Sequence, residues 1–232
     1  MKGRLHLIPV TLGDTDAFDV IPPKVLDQVL KLDTFVVEDT RSARRFLSAI
    51  GFRGKIETLQ FIELNLNTPP SNLSMALELL KKGKDIGLMS EAGVPAVADP
   101  GSDLVILCHN NEIDVIPYVG PSSILLALMA SGKSGQHFTF NGYLPINKEE
   151  RKSKLKELER ISERVGVSQI FMETPYRNNS LLDDIINCCN ESSTLTIATQ
   201  ITLPDQFIST KSIKEWKKSK PDLNKKPTIF IL

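Results

Sequence analysis

The segment Ser90–Gly101, with the sequence SEAGVPAVADPG, has residue types suited to holding a ligand through its backbone. Gly93 and Gly101 permit close approach of the backbone to a ligand, and the two prolines of the segment stiffen it. A stiff loop loses little conformational entropy when a ligand binds. Glu91 and Asp99 can accept hydrogen bonds from ribose hydroxyls or an ammonium group. The residue types alone are equally compatible with a tightly packed connection between a strand and a helix.

Three further segments of this kind follow apolar runs, and in an open parallel sheet ligands bind beyond the carboxyl ends of the strands. They are Pro9–Asp14 (PVTLGD), Glu38–Arg41 (EDTR) and Pro117–Ser123 (PYVGPSS). The first contains a single glycine, so the fingerprint G-x-G-x-x-G is missing, and the chain has no G-x-x-x-x-G-K-[ST]. These absences argue against an ordinary dinucleotide-binding dehydrogenase, an NTPase and the common methyltransferase architecture with a glycine-rich first loop.

Apolar runs that alternate with amphipathic stretches must position these segments, and this alternation predicts an α/β fold with a parallel sheet. The predicted strands are Leu5–Val10, Thr34–Val37, Ile56–Phe61, Asp85–Met89 and Asp114–Pro117. The predicted helices are Lys24–Leu30, Ser42–Ile50, Asn72–Lys82, Ser102–Asn110 and Ser122–Ala130.

A shift to small and polar residues at 132–136 predicts a boundary between two domains, 1–131 with a parallel sheet and 132–232 with a mixed sheet. The second domain has predicted helices at Lys148–Arg164 and Asn178–Cys188, and predicted strands at Phe138–Gly142, Gln169–Met172, Leu195–Thr199 and Thr228–Leu232. A short run at Gln206–Ser209 and a lysine-rich stretch to Lys220 precede the last strand. The helix from Lys148 is so rich in charge that it is expected to be a solvent-exposed surface helix.

The composition is typical of a globular protein, with 41% hydrophobic residues and 28 basic residues balanced by 28 acidic ones. The charge balance leaves no global basic field that would by itself indicate nucleic-acid binding. No apolar run is long enough to span a membrane, and the first residues lack a secretory cleavage site, so a cytoplasmic location is expected. The three cysteines form no C-x-x-C pair and are expected to be free thiols, with no metal site.

Five segments, taken in order, resemble one family. They are EDTR at Glu38–Arg41, SEAGVPAVADPG at Ser90–Gly101, VGPSS at Val119–Ser123, NGYLP at Asn141–Pro145 and METPYR at Met172–Arg177. The chain resembles the ribosomal small-subunit RNA (cytidine) 2′-O-methyltransferases of the tetrapyrrole (corrin and porphyrin) methylase superfamily over nearly its whole length. The resemblance implies two α/β/α domains with a cofactor cleft between them, S-adenosylmethionine as methyl donor, a ribosomal RNA substrate and a homodimer.

The resemblance also implies which positions bind the cofactor. In the first domain these are Pro9, Glu91, Ala92, Gly93, Val94, Pro95, Val97, Asp99, Ser122 and Ser123. In the second domain Met172, Thr199, Pro227 and Thr228 would approach the adenine. Soft apolar side chains and hydroxyls suit that ring, although a methionine at a strand end is more often part of the core.

A ribose hydroxyl must lose a proton as it accepts a methyl group, so a general base is expected. Glu38 or Glu173 is the candidate base, and Arg41 or Arg177 could stabilise the developing negative charge. Capping of the following helix is the alternative role for Asp39 or Thr40, and arginines of that helix more often face solvent.

The match is incomplete in the segments that would contact substrate. Where the family usually has T-P-I-G-N, Pro9–Asp14 ends in an aspartate, and Val94 replaces a threonine of S-D-A-G-T-P. The family's R-E-L-T-K segment is replaced by Thr199–Pro204, TQITLP, and its carboxy-terminal extension is missing. Methylation of a tetrapyrrole ring carbon and a non-catalytic S-adenosylmethionine-binding regulatory role therefore remain alternatives to RNA methylation.

Overall fold

The computed structural model describes residues 1–65 and 67–232, and contacts within the chain divide it into two units, Met1–Ser122 and Ser123–Leu232. The predicted boundary after residue 131 assigns the helix Ser123–Ser131 to the first domain, whereas its contacts assign it to the second unit. The reason is that this apolar helix packs against three strands of the second sheet. The small, polar segment at 132–136 lies inside the second unit.

The first unit contains the predicted parallel sheet, in the order β3-β2-β4-β1-β5. Its strands are β1 (Leu5–Leu7), β2 (Thr34–Val37), β3 (Gln60–Glu63), β4 (Ile86–Met89) and β5 (Val115–Pro117). Its helices are α1 (Ala17–Val20), α2 (Pro23–Val29), α3 (Thr40–Leu47), α4 (Pro70–Lys81) and α5 (Ser102–Asn110). The third strand starts later than predicted, because Ile56–Thr58 forms a 3-10 turn after a turn at Gly54.

Successive side chains of β2 point to opposite faces of the first sheet, and both faces are covered by apolar residues. Phe35 is fully buried in a cluster with Ile8 and Leu26, whereas its neighbour Val36 is buried in a second cluster with Leu80. Successive side chains of a strand point to opposite faces, so β2 contributes to both cores. The strand that ends just before Glu38 is therefore buried on both faces.

The second unit has the predicted mixed sheet, in the order β6-β7-β10-β8-β9, in which only β6 and β7 are parallel. Its strands are β6 (Phe138–Tyr143), β7 (Ser168–Met172), β8 (Thr194–Thr199), β9 (Phe207–Ser212) and β10 (Thr228–Ile231). Its helices are α6 (Ser123–Ser131), α7 (Lys148–Val165), α8 (Asn178–Cys188) and α9 (Ile213–Lys218).

Helix α9 lies in the lysine-rich stretch for which no helix was predicted. The Ser212 hydroxyl accepts from the Glu215 N–H while the Glu215 carboxylate accepts from the Ser212 N–H, so a capping box starts the helix. Trp216 is buried, and its indole N–H donates to the Leu195 carbonyl at 2.9 Å. One buried tryptophan thus anchors an otherwise charged helix.

Helix α7 is only partly the exposed helix expected from its charge. Lys152 and Lys154 pair with glutamates three residues away on the exposed side. Arg151 and Glu159, in contrast, are 7% and 6% exposed. The guanidinium of Arg151 donates to Asp184 of α8 at 2.9 and 2.5 Å, and this pair fixes the inner face of the helix.

The three cysteines are free thiols, as predicted, with Cys108 and Cys189 buried and Cys188 partly exposed. Burial raises the pKa of the Cys108 thiol to about 11. No helix in residues 1–65 or 67–232 is long and apolar enough to cross a membrane. Within the same ranges, no group of three or more His, Cys, Asp or Glu side chains could hold a metal ion.

Candidate active site

The segment Ser90–Gly101, called the β4 loop below, follows the middle strand of the first sheet at its carboxyl edge. Gly93 and Gly101 have φ values of +74° and +122°. Ala96 and Ala98 also have positive φ, at +64° and +63°, which costs an L-residue roughly 1–2 kcal/mol each. Strained backbone persists where the surrounding structure enforces it, commonly at ligand sites. The alanines gave no sign of this in the sequence.

Loops from neighbouring strands hold the β4 loop in this shape. The Val10 N–H donates to the Gly93 carbonyl at 2.8 Å, and a Cβ at Gly93 would lie 3.2 Å from Leu12 Cδ2. A Cβ at Gly120 would lie 2.3 Å from the Pro9 side chain. The segments after β1, β4 and β5 therefore meet closely, as predicted for loops at one edge of a parallel sheet.

Three carboxyl groups predicted for the site gather beside this loop. The Glu38 carboxylate accepts the Glu91 N–H at 3.2 Å, which joins the β2 and β4 ends. Burial, and then the negative charges of Asp99, Glu91 and Asp39, raise the pKa of Glu38. Burial and the charge of Glu91 likewise raise the pKa of Asp99. A carboxylate with a raised pKa is a better proton acceptor near neutral pH.

Helix α3 begins at Thr40, two residues after Glu38, and its capping residue is Asp39. The Asp39 carboxylate accepts the Ser42 N–H at 2.7 Å, and this bond is the main cause of its lowered pKa. Thr40 instead donates through its hydroxyl to Glu63 at 2.7 Å. Arg41 lies exposed in the first turn of the helix. Asp39 is therefore a structural cap, whereas Glu38 and Arg41 are accessible.

Glu173 and Arg177, the second pair predicted for catalysis, form an ion pair in the second unit. Glu173 is 4% exposed, and Nη2 of Arg177 lies 2.6 Å from each of its oxygens. The Thr174 N–H donates to the same carboxylate at 2.7 Å. A carboxylate so fully bonded is suited to fixing Arg177 and is poorly placed to accept a proton from substrate. Glu38 is consequently the better candidate base.

The four residues predicted for the adenine meet at one end of the second sheet. Thr199 and Thr228 are paired across β8 and β10, and their hydroxyl oxygens are 3.0 Å apart. The Thr199 hydroxyl also donates to the Pro227 carbonyl at 3.1 Å. Met172, at the end of β7, is paired with Ile229 of β10 and stays partly exposed. Its thioether is therefore available to a ligand and is not wholly part of the core.

The remaining predicted cofactor residues differ in exposure. Pro95 is buried, Val94 is half-buried, and Ala92 and Val97 are exposed. Ser122 ends the first unit and Ser123 starts α6, both half-buried. The β4 loop thus presents backbone and small apolar side chains, together with the exposed carboxylate of Glu91.

A cavity of about 870 Å³ beside the β4 loop was not predicted as a site. Its walls are the segment Val10–Ala17, one face of α3 and the first residues of the β4 loop. Of the residues predicted for the site, only Glu91 lines it. The acidic end of PVTLGD and the arginines of α3 were visible in the sequence, but their convergence depends on the fold.

Comparison with curated proteins finds relatives along the whole chain. Ribosomal RNA small subunit methyltransferase I of Thermotoga maritima is 31% identical over 224 residues, covering 94% of each chain. The protein of that name from Buchnera aphidicola is 30% identical over 233 residues, covering 99% of this chain and 78% of its own. The match to the Vibrio cholerae protein of that name, 30% identical, covers 85% of this chain and 65% of its own. No family model matches the chain.

Solved structures share the fold at low identity. A diphthine synthase matches with a TM-score of 0.69 at 14% identity, covering 99% of this chain and 89% of its own. The methyltransferase CobJ matches with a TM-score of 0.62 at 17% identity, covering 99% and 93%. Uroporphyrin-III C-methyl transferase from Thermus thermophilus, complexed with S-adenyl homocysteine, matches with a TM-score of 0.59 at 12% identity, covering 99% and 96%.

These structures show that the chain has the tetrapyrrole methylase fold expected from its motifs. The relatives at 30–31% identity extend over nearly its full length and carry one name. The chain therefore belongs to the ribosomal RNA small subunit methyltransferase I family, a family of S-adenosylmethionine-dependent methyltransferases.

Proposed function

We propose that this protein transfers a methyl group from S-adenosylmethionine to a ribose 2′-hydroxyl of small-subunit ribosomal RNA. The relatives named for small-subunit ribosomal RNA support the acceptor. The observation that carries the proposal in the structure is the hydrogen bond from the Glu91 N–H to Glu38. It places a carboxylate of raised pKa directly beside the loop assigned to the methyl donor.

The groups of the two units fit the chemistry of S-adenosylmethionine. In the first unit the β4 loop supplies exposed backbone, and Glu91 and Asp99 supply acceptors for an ammonium group or ribose hydroxyls. In the second unit Thr199 and Thr228 supply hydroxyls, and Met172 supplies a soft apolar wall for adenine. When bound, the sulfonium supplies an activated methyl group. We assign to it all the cofactor positions named above, including Ser122, Ser123 and Pro227.

For the acceptor, the residues of this chain must orient a hydroxyl and remove its proton. Glu38 is the base, because its carboxylate is accessible and its pKa is raised. Arg41 lies three residues further along, in the first turn of α3, and can stabilise the negative charge that develops on oxygen. Arg177, which Glu173 holds in the second unit, is the alternative cation for this purpose.

Support for an RNA partner also comes from the charge of the second unit. Although the chain has no net charge, residues 211–226 contain seven lysines and only two acidic residues. Lys217 and Lys220 pair with Glu191 and Asp183, and the Lys225 ammonium lies 6.0 Å from the ring centre of the exposed Tyr176. A lysine beside an exposed aromatic ring, within a lysine-rich segment, suits a nucleic-acid backbone and its bases. We further propose a homodimer acting in ribosomal RNA processing in the cytoplasm.

The proposal is tested by incubating the protein with labelled S-adenosylmethionine and small ribosomal subunits, or their RNA. The subunits come from a strain that lacks the gene for this protein. Label is expected in small-subunit RNA and not in large-subunit RNA. A parallel incubation supplies a uroporphyrinogen-like tetrapyrrole in place of RNA. Label in that tetrapyrrole, or tight binding of S-adenosylmethionine without transfer to any acceptor, would replace this proposal with one of its two alternatives.

A further inference from the structure

The cavity between the segment Val10–Ala17 and α3 is lined by only one residue assigned to the cofactor, Glu91. It lies within the first unit and shares Ser90 and Glu91 with the β4 loop. Its volume of about 870 Å³ is in the range of small-molecule and nucleotide sites. Because Val10, at its edge, is bonded to Gly93, the cavity directly adjoins the loop assigned to the methyl donor.

The lining of this cavity combines hydrogen-bond acceptors with one cation. The carboxylates are those of Asp14, Asp16 and Glu91, and the hydroxyls include Ser42. Asp16 already accepts the Phe18 N–H at 3.0 Å as the cap of α1, whereas Asp14 is exposed. Carboxylates favour ligands rich in hydroxyl or amino groups and disfavour phosphate in the interior. Sugar hydroxyls match this interior.

Arg45 is the cation of the cavity, and its surroundings differ from those of the neighbouring arginine. Arg44 is engaged, because it pairs with Glu57 and lies 5.7 Å from the Phe61 ring centre. The Arg45 side chain is exposed and has no ion pair or hydrogen bond with any residue in 1–65 or 67–232. It is therefore free to contact a phosphate.

We propose that this cavity is the subsite for the acceptor nucleotide, with the ribose inside and its phosphate on Arg45. The proposal rests on the proposed function, since it concerns the RNA substrate of the same site. Glu91 and Ser42, whose side chains are 3.4 Å apart, lie where the cavity opens onto the β4 loop. The Glu91 N–H is also bonded to the Glu38 carboxylate, so a ribose hydroxyl at this opening would lie beside both the base and the donor site. Arg45 is a substrate-binding residue that positions the ribose.

The test compares Arg45→Gln with the matched control Arg53→Gln, which removes the same charge from an exposed residue of the same unit outside the cavity. Binding of small-subunit RNA is measured by fluorescence anisotropy over a range of salt concentrations, and S-adenosylmethionine binding by calorimetry. Arg45→Gln should weaken RNA binding about tenfold, as expected for loss of one charge-assisted contact. It should also reduce the slope of log K against log salt by roughly 0.7–0.9, the value for one phosphate contact. Its affinity for S-adenosylmethionine should not change.

A loss of stability alone would leave the salt slope unchanged, so the slope separates phosphate contact from a structural effect. An unchanged RNA affinity and slope in Arg45→Gln, while the wild-type protein methylates the RNA, would overturn the subsite and leave the proposed function intact. Failure of the wild-type protein to methylate RNA would overturn the proposed function instead. Equal effects of Arg45→Gln and Arg53→Gln would also contradict the subsite, because they would indicate a general charge effect.

Discussion

The Val10 N–H donates to the Gly93 carbonyl at 2.8 Å, and this bond ties the loop after β1 to the β4 loop. The two loops leave the ends of adjacent parallel strands, so the contact follows from the sheet order β4-β1. The shape of the assigned donor site therefore depends on a backbone contact that side-chain substitutions do not remove directly. Substitutions that alter the preferred backbone conformation of the β4 loop should therefore affect the donor site most.

Gly93→Ala should weaken S-adenosylmethionine binding, because a residue with Cβ is strained at φ +74° and its Cβ would lie 3.2 Å from Leu12. Gly54→Ala is the control, since Gly54 has φ +82° with nothing within 4 Å of an added Cβ. Both variants should lose about 1 kcal/mol of unfolding free energy. Calorimetry should show weaker cofactor binding only for Gly93→Ala, and equal cofactor affinity in the two variants would contradict the role of the loop.

Glu38→Gln should lower kcat by roughly 10²–10⁴-fold, the usual contribution of a general base. In the wild-type protein kcat should fall on acidification, at a pH above that of an ordinary glutamate, because burial raises the pKa of Glu38. This acid limb should be lost in Glu38→Gln and kept in Glu57→Gln, a change at an exposed position. An acid limb that survives in Glu38→Gln would assign the base elsewhere.

The pH dependence of stability should change in the same variant. A carboxyl whose pKa is higher in the folded state binds more protons there than when unfolded. Its contribution to the free energy of unfolding is therefore largest below the unfolded pKa and is lost as pH rises through the folded value. Chemical denaturation of both proteins at several pH values should show the unfolding free energy of Glu38→Gln increasing relative to that of the wild-type protein as pH rises through the folded pKa of Glu38. A difference between the two proteins that decreases with pH, or does not change with pH, would contradict the raised pKa.

Arg177→Met should reduce the free energy of unfolding by about 1–3 kcal/mol, because it leaves the buried Glu173 carboxylate without its cation. Arg44→Met, which breaks the exposed pair with Glu57, should cost less than about 1 kcal/mol. Urea denaturation of both variants measures the difference. Equal losses would show that burial of Glu173 does not strengthen its dependence on Arg177.

Arg151→Met should be more destabilising, by about 3–5 kcal/mol, because Asp184 is buried with it. The same guanidinium donates to the carbonyls of Pro145 and Ile146, so the loop after β6 also loses its anchor. Lys152→Met, at the adjacent and more exposed position, should change stability by less than about 0.5 kcal/mol. Similar values for the two variants in urea denaturation would contradict the assignment of Arg151 to the interior.

Most of the fold was predictable from the sequence, because apolar strand-like runs alternate clearly with amphipathic helical stretches. Phe35 lies in one such strand, β2, and Leu80 in one such helix, α4. The predicted strand at Ile56–Phe61 begins too early, because Ile56–Thr58 forms a 3-10 turn and the strand starts at Gln60. Helix α9 could have been predicted from the S-x-x-E capping box of Ser212 and Glu215, although the segment is rich in lysine. The inward direction of Arg151 was not readable, since its partner lies on another helix.

The sequence indicated which residues belong to the candidate site better than it indicated the chemical role of each one. Glu38 and Glu173 both follow strands and are chemically alike, and their difference arises from tertiary contacts. The Glu38 carboxylate stays accessible, whereas the Glu173 carboxylate is hydrogen-bonded to Arg177 and to a backbone N–H. The positive φ of Ala96 and Ala98 and the convergence of Arg45 with Glu91 likewise depend on contacts that residue types do not reveal.

The central claim is tested most directly by locating the methyl group on the RNA product. Small subunits from the deletion strain are treated with the protein and S-adenosylmethionine, and the RNA is digested to nucleosides for mass spectrometry. One added methyl group, carried on the ribose, is expected, and in the same reaction time Glu38→Gln should form roughly 10²–10⁴-fold less of this product. A methyl group on a base, or no methyl group on small-subunit RNA, would contradict the claim.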